Sequence, residues 1–319
     1  MPTFLVTGAT GFIGRRLVTE LAQAGHRVRR ALRHRDQALP GIEDVLVGAV
    51  DGGTDWTAAL QGIEVVAHLA ARVHVLRETA RDPSAAFRET NVRGTERLAR
   101  AAAAGGVGRF VFLSSAGVHG LSPHTSALAE AAPMAPHTAY AQSKWEAEQA
   151  FREVASRTGL SACVLRAPLV YGPGDPGNLM RLVSLVARGV PLPLASVRNR
   201  RSFLYVGNLS SAIVASALHP AADSRTYFVR DGKDVSTPEL IELIAKGLSR
   251  PQARLFPVPP ALLQAAATAF GQRAAMSALL GSLALDDSAI RAELGWRPRW
   301  SLEEGLRETV NWYKSGSPR

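Results

Sequence analysis

A tyrosine and a lysine four residues apart form the pair with the clearest chemical potential in this sequence. Tyr140 and Lys144 belong to the stretch Tyr-Ala-Gln-Ser-Lys, where a helix is predicted to begin near Thr138. On a helix this spacing places both side chains on one face, about one turn apart. A phenol with a pKa of ~10 exchanges protons poorly at neutral pH, and a nearby ammonium group lowers that pKa. The spacing therefore predicts a proton-transfer pair, although it also occurs often by chance.

A serine at the end of an apolar run adds a third group. Residues Arg109–Ser115 predict a buried strand that ends in two serines. The hydroxyl of Ser115 could hydrogen-bond a reacting oxygen while Tyr140 exchanges its proton and Lys144 holds a nicotinamide ribose. Together the three groups suit the interconversion of a carbinol and a carbonyl, with a hydride moving to or from the nicotinamide.

The cofactor for such chemistry has a candidate site at the beginning of the chain. Gly8, Gly11 and Gly14 follow an apolar strand, Phe4–Val6, and precede a helical stretch, Arg15–Ala24. In that order, the glycines allow a sharp turn, a close approach of backbone N–H groups to a pyrophosphate, and tight packing of the helix on the strand. A structural turn without a ligand would use similar glycines, so the catalytic set strengthens the interpretation.

The elements that must position these residues predict an α/β protein with a doubly wound parallel sheet, a Rossmann fold, and a smaller C-terminal substrate-binding lobe. Residues 1–170 form the expected dinucleotide-binding domain, with a segment near 203–230 returning to it, and residues 171–319 mainly form the lobe. The alanine-rich segment 261–285 predicts two packed helices, because polar residues interrupt it before ~20 apolar residues accumulate. Further strands are predicted at 26–33, 45–50, 65–70, 162–165 and 200–206.

Composition narrows the classes of partner. The 319 residues carry 37 Lys and Arg against 27 Asp and Glu, a net charge of +10. The arginines are spread along the chain without zinc-finger spacing or an aromatic-basic signature, so we expect phosphate-bearing small ligands, no nucleic acid and no membrane insertion. The single cysteine, Cys163, predicts a buried core thiol, and a chain that enters its first strand directly predicts a cytoplasmic protein. His68 and His74 predict structural histidines, and we expect no metal.

The end of the second strand bears on which dinucleotide is bound. Sites that prefer NAD usually carry Asp or Glu there, to hold the ribose hydroxyls. This chain instead has Leu32-Arg33-His34-Arg35. Arg33 and Arg35 could pair with the 2′-phosphate of NADP, whereas a solvated basic loop is the alternative. The expected cofactor is therefore NADP or NAD, with the arginines favouring NADP.

With these motifs in place, the sequence resembles the extended short-chain dehydrogenase/reductases, in particular the branch of nucleotide-sugar epimerases and 4-ketoreductases. The motifs that carry the resemblance are the Gly8-x-x-Gly11-x-x-Gly14 turn, Asn91-Val-Arg-Gly-Thr, Ser115 and the Tyr140-x-x-x-Lys144 pair. The resemblance implies a UDP-sugar substrate and a homodimer. Cofactor contacts are expected from Gly8, Thr10, Gly11, Phe12, Ile13, Gly14, Arg33, Asp51, Leu69, Ala70, Ala71, Asn91, Ser114, Tyr140, Lys144 and Pro168. Substrate contacts are expected from Ser115, Asn178, Leu192, Arg201 and Arg291.

Some positions depart from the family pattern. Leu169 stands where hexose epimerases often have Asn, His119 replaces a usual tyrosine, and Gly207 replaces a common Asp. Three stretches resemble the enzymes that reduce UDP-4-keto-6-deoxy-N-acetylhexosamines for surface polysaccharides: residues 68–75, 144–149 and 199–202. The leading hypothesis is therefore such a 4-ketoreductase.

Three alternatives to a 4-ketoreductase follow from the same residues. The nearest is a UDP-hexose or UDP-N-acetylhexosamine 4-epimerase that retains NAD. A 4,6-dehydratase fits less well, because Ala116 and Gly117 supply no acid beside Ser115. A non-catalytic nucleotide-binding regulator would have no need of the Tyr140–Lys144 pair.

Overall fold

The structure is a computed structural model that describes residues 1–73, 82–121, 126–250, 252–269 and 273–316. Its strands are β1 (Thr3–Thr7), β2 (Arg27–Leu32), β3 (Glu43–Leu46), β4 (Val65–His68), β5 (Arg109–Ser115), β6 (Ala162–Ala167), β7 (Leu169–Tyr171), β8 (Phe203–Tyr205) and β9 (Arg225–Phe228). Its α-helices are α1 (Phe12–Gln23), α2 (Thr57–Leu60), α3 (Pro83–Arg88), α4 (Gly94–Ala104), α5 (Ala139–Thr158), α6 (Asn178–Ala187), α7 (Val206–Leu218), α8 (Thr237–Gly247), α9 (Pro260–Ala269), α10 (Arg273–Leu280), α11 (Ser288–Leu294) and α12 (Leu302–Lys314).

The main sheet confirms the predicted doubly wound α/β fold. In the described part of the chain, seven strands lie in the order β3-β2-β1-β4-β5-β6-β9, and each neighbouring pair is parallel. The order reverses direction between β1 and β4, which is where open α/β sheets bind ligands, beyond the carboxyl ends of the strands. Apart from the exposed edge strand β3, the strands bury mainly apolar side chains, as expected of a sheet that helices cover on both faces.

A second set of elements lies beyond β6. Strands β7 and β8 pair in parallel as a separate two-stranded sheet. Their tyrosines, Tyr171 and Tyr205, are buried in a hydrophobic cluster with side chains of α6, α8 and α12. The predicted domain boundary near residue 170 stays a prediction. As predicted, the alanine-rich segment forms two helices, α9 and α10, and across the described ranges no helix is long and apolar enough to cross a membrane.

Several predicted element ends were wrong, and the structure gives a cause for two of them. The third strand ends at Leu46 rather than Val50, because Gly48 (φ +75°) turns the chain away. The fourth ends at His68 rather than Ala70, because the N–H groups of Leu69 and Ala70 donate to the Thr7 hydroxyl. The strand predicted at 200–206 begins only at Phe203.

Candidate active site

The glycine turn is built so that two of its glycines are required by the fold itself. Gly8 has a φ of +66°, and a Cβ on it would lie 2.9 Å from the backbone nitrogen of Ala70. A Cβ on Gly14 would overlap the carbonyl oxygen of Gly8 and lie 2.7 Å from the Cα of Ala9. Gly11 is different: it is exposed, its φ is −76°, and the nearest neighbour of an added Cβ is 3.3 Å away. The space in front of Gly11 is therefore open to a ligand.

The start of α1 is suited to an anion. Its N-cap, Gly11, makes no side-chain capping bond, and its first turn holds no acidic residue. The first N–H groups of a helix have no partners within that helix, and the helix dipole favours negative charge there. Thr10 is exposed beside this turn. Phe12 and Ile13 are partly buried and pack against the hydrophobic cluster that contains Tyr171 and Tyr205. This uncapped end and the open space at Gly11 fit a dinucleotide pyrophosphate.

The residues that follow β4 lie against the glycine turn that follows β1. Buried hydrogen bonds link the ends of the two strands. The hydroxyl of Thr7 accepts from Leu69 and Ala70 and lies 2.7 Å from Nδ1 of His68. The Thr95 hydroxyl donates to the Asn91 carbonyl and lies 3.0 Å from His68 Nε2, so Nε2 donates and Nδ1 accepts from Thr7. Burial, with nearby Lys144, lowers the pKa of His68 to about 3. His68 is thus a neutral structural histidine, as predicted; His74 lies outside the described residues.

Asn91 joins the cofactor side to the catalytic helix. It lies in a π-helical turn, Glu89–Arg93, that links α3 to α4. The side-chain oxygen of Asn91, Oδ1, accepts from the backbone N–H of Arg72 (2.7 Å). Its side-chain nitrogen, Nδ2, donates to the Arg72 carbonyl and to the Ser143 hydroxyl (2.8 Å). Ser143 in turn donates to the Tyr140 carbonyl. The side chain of Asn91 therefore holds the backbone of Arg72, and its amide does not face open space.

The structure brings the three catalytic candidates together at the carboxyl end of β5. Thr138 caps α5 by accepting from Ala141, which places Tyr140 in the first turn and Lys144 in the second. The Tyr140 hydroxyl and the Ser115 side chain lie within hydrogen-bonding reach of each other. The Ser115 oxygen also accepts from the backbone of Gly117 (3.1 Å). One proton-exchanging group and one hydrogen-bonding group thus converge where a substrate oxygen could lie.

The pKa of Tyr140 differs from the sequence-based expectation. Burial raises it to about 12, opposed by the hydrogen bond from Ser115. The expected lowering by Lys144 is absent, because the Nζ of that lysine lies over the ring of Phe112, 4.0 Å from its centre. Burial also lowers the pKa of Lys144 to about 7, against the charge of Glu148. In the protein alone, Tyr140 is therefore a neutral phenol that keeps its proton at neutral pH.

A buried charged network behind the catalytic set was missed by sequence reasoning. Glu148 lies one turn after Lys144 and accepts from Ser114 (2.5 Å), from Arg152 (2.8 Å) and from Arg166 on β6 (2.8 Å). Ser114 therefore uses its hydroxyl inside the protein, and its contact with a cofactor stays a prediction. An arginine within the apolar strand Ala162–Ala167 was the signal for this network, because a charge in such a place requires a buried partner.

The end of β2 carries exposed arginines. Arg33 and Arg35 are both exposed, directly after the strand. The carboxylates nearby are engaged by Arg30, which lies 2.6 Å from Asp44 and 3.2 Å from Asp36. Asp51 accepts from the backbone of Gly53 (2.9 Å), so a turn accounts for it, and its contact with a cofactor stays a prediction. Pro168 is buried between β6 and β7.

The residues predicted to contact a substrate lie on the segments after β7. Asn178 is exposed and begins α6, and Leu192 is mostly buried in a bridge with Leu255. Arg201 pairs with Val235 and Leu283, and it donates from Nη1 to the Gly281 carbonyl (3.1 Å). Burial lowers the pKa of Arg201. Arg291 lies 2.7 Å from Asp287, the residue that also binds Arg230.

The departure at Gly207 has a steric cause. A Cβ there would lie 2.8 Å from the Tyr205 ring, 2.9 Å from the Trp300 ring and 3.2 Å from Nη2 of Arg16. The guanidinium of Arg16 stacks over the Trp300 ring, 5.5 Å from its centre. An aspartate would need both rings to move, so in this chain the rings and Arg16 fill the space that its side chain would take.

Comparisons with known proteins agree with this geometry. A profile of the NAD dependent epimerase/dehydratase family matches residues 4–229. A protein of Vibrio cholerae named UDP-glucose 4-epimerase is 35% identical over 99% of this chain and 97% of its own length. An Escherichia coli O157:H7 protein, N-acetyl-alpha-D-glucosaminyl-diphospho-ditrans,octacis-undecaprenol 4-epimerase, is 29% identical over 77% of the chain and 72% of its own. The solved structure of MoeE5 with UDP-glucuronic acid and NAD covers 98% of this chain and 99% of its own, at 27% identity and a TM-score of 0.79.

Proposed function

Because the chain belongs to the NAD dependent epimerase/dehydratase family, we propose that it is an NAD(P)-dependent oxidoreductase acting at C4 of a nucleotide-activated sugar. Its proposed reaction is the reduction of a UDP-4-keto-6-deoxy-N-acetylhexosamine for surface polysaccharide synthesis. The observation that carries the chemistry is the convergence of Ser115 and Tyr140 at the carboxyl end of β5, with Lys144 on the next turn of α5.

The chain's own residues account for the proton side of the reaction. The bound dinucleotide supplies a hydride to C4 of the sugar. Tyr140 gives its phenolic proton to the oxygen at C4, so the C4 carbonyl becomes an alcohol, and Ser115 hydrogen-bonds the same oxygen. The phenolate that remains takes a proton from solvent, and the charged form of Lys144 is proposed to hold the nicotinamide ribose.

One feature favours reduction over epimerisation, because the neutral phenol of Tyr140 serves a proton transfer in either reaction. The exposed Arg33, next to carboxylates that Arg30 already binds, suits the 2′-phosphate of NADPH. This arrangement fits an enzyme that oxidises one NADPH in each turnover.

A UDP-hexose or UDP-N-acetylhexosamine 4-epimerase with tightly bound NAD is the second candidate, favoured by the names of the Vibrio cholerae and Escherichia coli relatives. It would use the same three residues and return the hydride to the opposite face of the sugar. For either reaction, Asn178, Leu192, Arg201 and Arg291 are proposed to hold the UDP portion, with arginine forks on the diphosphate. A homodimer stays a prediction from the family resemblance.

Replacement of Tyr140 by Phe tests the proposed chemistry. The variant should lose turnover by at least about 100-fold, since general acid catalysis contributes that much, and should bind NADPH as the parent does. Tyr313→Phe on α12 is the matched control and should keep full activity. Unchanged turnover in Tyr140→Phe would contradict the assignment.

A further inference from the structure

Arg166, on β6, connects helix α5 to the residues that follow β5 through a single guanidinium group. Its side chain is 2% exposed, and its Nε and Nη2 lie 3.1 and 2.8 Å from the Glu148 carboxylate. Its Nη1 donates to Nε2 of His119 and to the carbonyl of Glu130, both at 2.9 Å. The Nε and Nη2 atoms of the guanidinium thus hold α5, and its Nη1 holds residues that follow Ser115.

His119 occupies its place in one protonation state only. Arginine has no lone pair to offer, so Nε2 of His119 must accept from Nη1 of Arg166. Nδ1 therefore carries the proton and donates to the carbonyl of Pro133 (3.1 Å). The ring is 5% exposed and lies against Phe228, with 5.2 Å between ring centres. A neutral imidazole satisfies both neighbours, whereas a charged one would turn a donor toward a guanidinium.

These contacts join three segments that surround the catalytic groups. His119 ends the short 3₁₀ turn Ala116–His119, which begins directly after Ser115. Pro133 and Glu130 belong to the segment that leads to the Thr138 cap and Tyr140. Glu148 accepts from Ser114, the neighbour of Ser115, and lies one turn after Lys144. Ser115 and Tyr140 are therefore held from both chain directions by contacts that meet at Arg166.

We propose that His119 is a positioning residue for the proposed reduction, and that it must be neutral to hold the segment after Ser115 against Arg166. The inference rests on the proposed function for its catalytic consequence. The charged and titratable groups around the ring are Arg166 on β6, Glu148 on α5 and Glu130 on the preceding segment. Burial and Arg166 lower the pKa of His119, which agrees with a neutral ring.

The pH dependence has a definite sign. A histidine whose pKa is lowered by folding takes up its proton less readily than in the unfolded chain, so the folded state loses stability as pH falls below about 6.5, the ordinary histidine value. Protonation of the folded protein, which requires a pH below this value because the pKa of His119 is lowered, also releases the Nη1 contact, so turnover should fall at the acid end of the range.

His119→Gln is the decisive variant, because a glutamine amide can donate to Pro133 and accept from Arg166 and cannot titrate. His119→Ala removes both bonds, and His137→Gln, an exposed histidine, is the matched control. At pH 8 the Gln variant should keep kcat within about threefold, while the Ala variant should lose about 10- to 100-fold with the KM for NADPH unchanged, the size expected of a misplaced catalytic group. Between pH 8 and 5.5 the Tm of the parent should fall more than that of His119→Gln, and kcat of the parent should fall more at the acid end of that range.

An acid limb in kcat that is identical for the parent and His119→Gln, or full kcat in His119→Ala, would overturn the proposal. The Tm comparison separates this proposal from the proposed function, since it needs no substrate. If the parent reduces no 4-keto sugar, the function is wrong, and an equal fall in Tm for the parent and His119→Gln would independently show that His119 is not held neutral by Arg166.

Discussion

The Nζ of Lys144 lies over the ring of Phe112, 4.0 Å from its centre, one turn of α5 before the buried carboxylate of Glu148. The lysine is 2% exposed, so its charge depends on these two neighbours rather than on solvent. The aromatic face and the carboxylate favour the cation, whereas burial opposes it and lowers the pKa to about 7. Lys144 is thus poised between its two states near neutral pH.

The activity of the free enzyme should follow the charge of Lys144. Below pH 7 the amine is protonated and can hold the cofactor ribose, and above it the charge is lost. We expect kcat/KM for NADPH to decline as pH rises through about 7. Lys144→Met should lower kcat by about 10²- to 10⁴-fold, with the exposed Lys246→Met as control. A rate independent of pH from 6 to 9 would contradict this role.

The glycines of the turn should separate into structural and ligand-dependent positions. Gly14→Ala pushes a methyl group into the backbone of Gly8 and Ala9, and should cost about 3 kcal/mol of the free energy of unfolding. Gly11→Ala meets nothing closer than 3.3 Å and should change that free energy by less than about 1 kcal/mol. Its methyl group would instead occupy the space expected for a diphosphate, so the Kd for NADPH should rise at least about tenfold. Urea unfolding and NADPH titration measure the two effects, and unchanged NADPH binding by Gly11→Ala would place the diphosphate elsewhere.

The proposed preference for NADP should depend on Arg33. Arg33→Ala should raise the KM for NADPH about 10- to 100-fold, as expected for the loss of a charged hydrogen bond, while the KM for NADH changes little. Arg157→Ala removes a surface ion pair at the far end of α5 and serves as the control. Equal effects on NADPH and NADH would show that Arg33 does not contact the 2′-phosphate.

The ionised carboxylate of Asp175 should destabilise the fold as pH rises from 3.8 to about 6. One of its carboxylate oxygens accepts from Gly177 (2.7 Å), and the other is buried without a partner among the described residues. Burial raises the pKa to about 6 from 3.8. As pH rises between these values the unfolded chain releases its proton before the folded one, so stability is lost until about pH 6. Asp175→Asn should therefore be more stable above pH 6, by at most about 3 kcal/mol, and no more stable near pH 4.

Thermal unfolding across this pH range measures the effect of Asp175→Asn. Glu303→Gln, which changes an exposed carboxyl group on α12, controls for the loss of one negative charge. A Tm difference between the parent and Asp175→Asn that does not vary with pH would contradict the explanation.

Local sequence signals sufficed where backbone geometry or helix spacing decides the outcome. The glycine turn, the cap at Thr138 and the spacing of Tyr140 and Lys144 specify their own structure, because each depends on residues close in the chain. The end of β4 could not be predicted in this way, whereas Gly48 was a local signal for the end of β3. The end of β4 depends on the Thr7 hydroxyl, which lies 61 residues before the histidine that it bonds.

The electrostatics of the site depended on contacts that no local pattern reports. The spacing of Tyr140 and Lys144 suggested a lowered phenol pKa, but the position of the amine over Phe112 and the burial of the phenol reverse the direction. The partnership of Glu148 with Arg166 joins α5 to β6, so only the assembled sheet brings the two charges together.

The most direct test of the proposed function is the fate of the nucleotide in a single preparation. Purified protein is denatured to release any bound dinucleotide, and native protein is mixed with NADPH and a UDP-4-keto-6-deoxy-N-acetylhexosamine. A 4-ketoreductase should release little nucleotide and oxidise one NADPH for each 4-hydroxy product formed. Stoichiometric NAD in the denatured protein, with no net NADPH oxidation and interconversion of C4-epimeric UDP-sugars, would contradict the reductase and identify an epimerase.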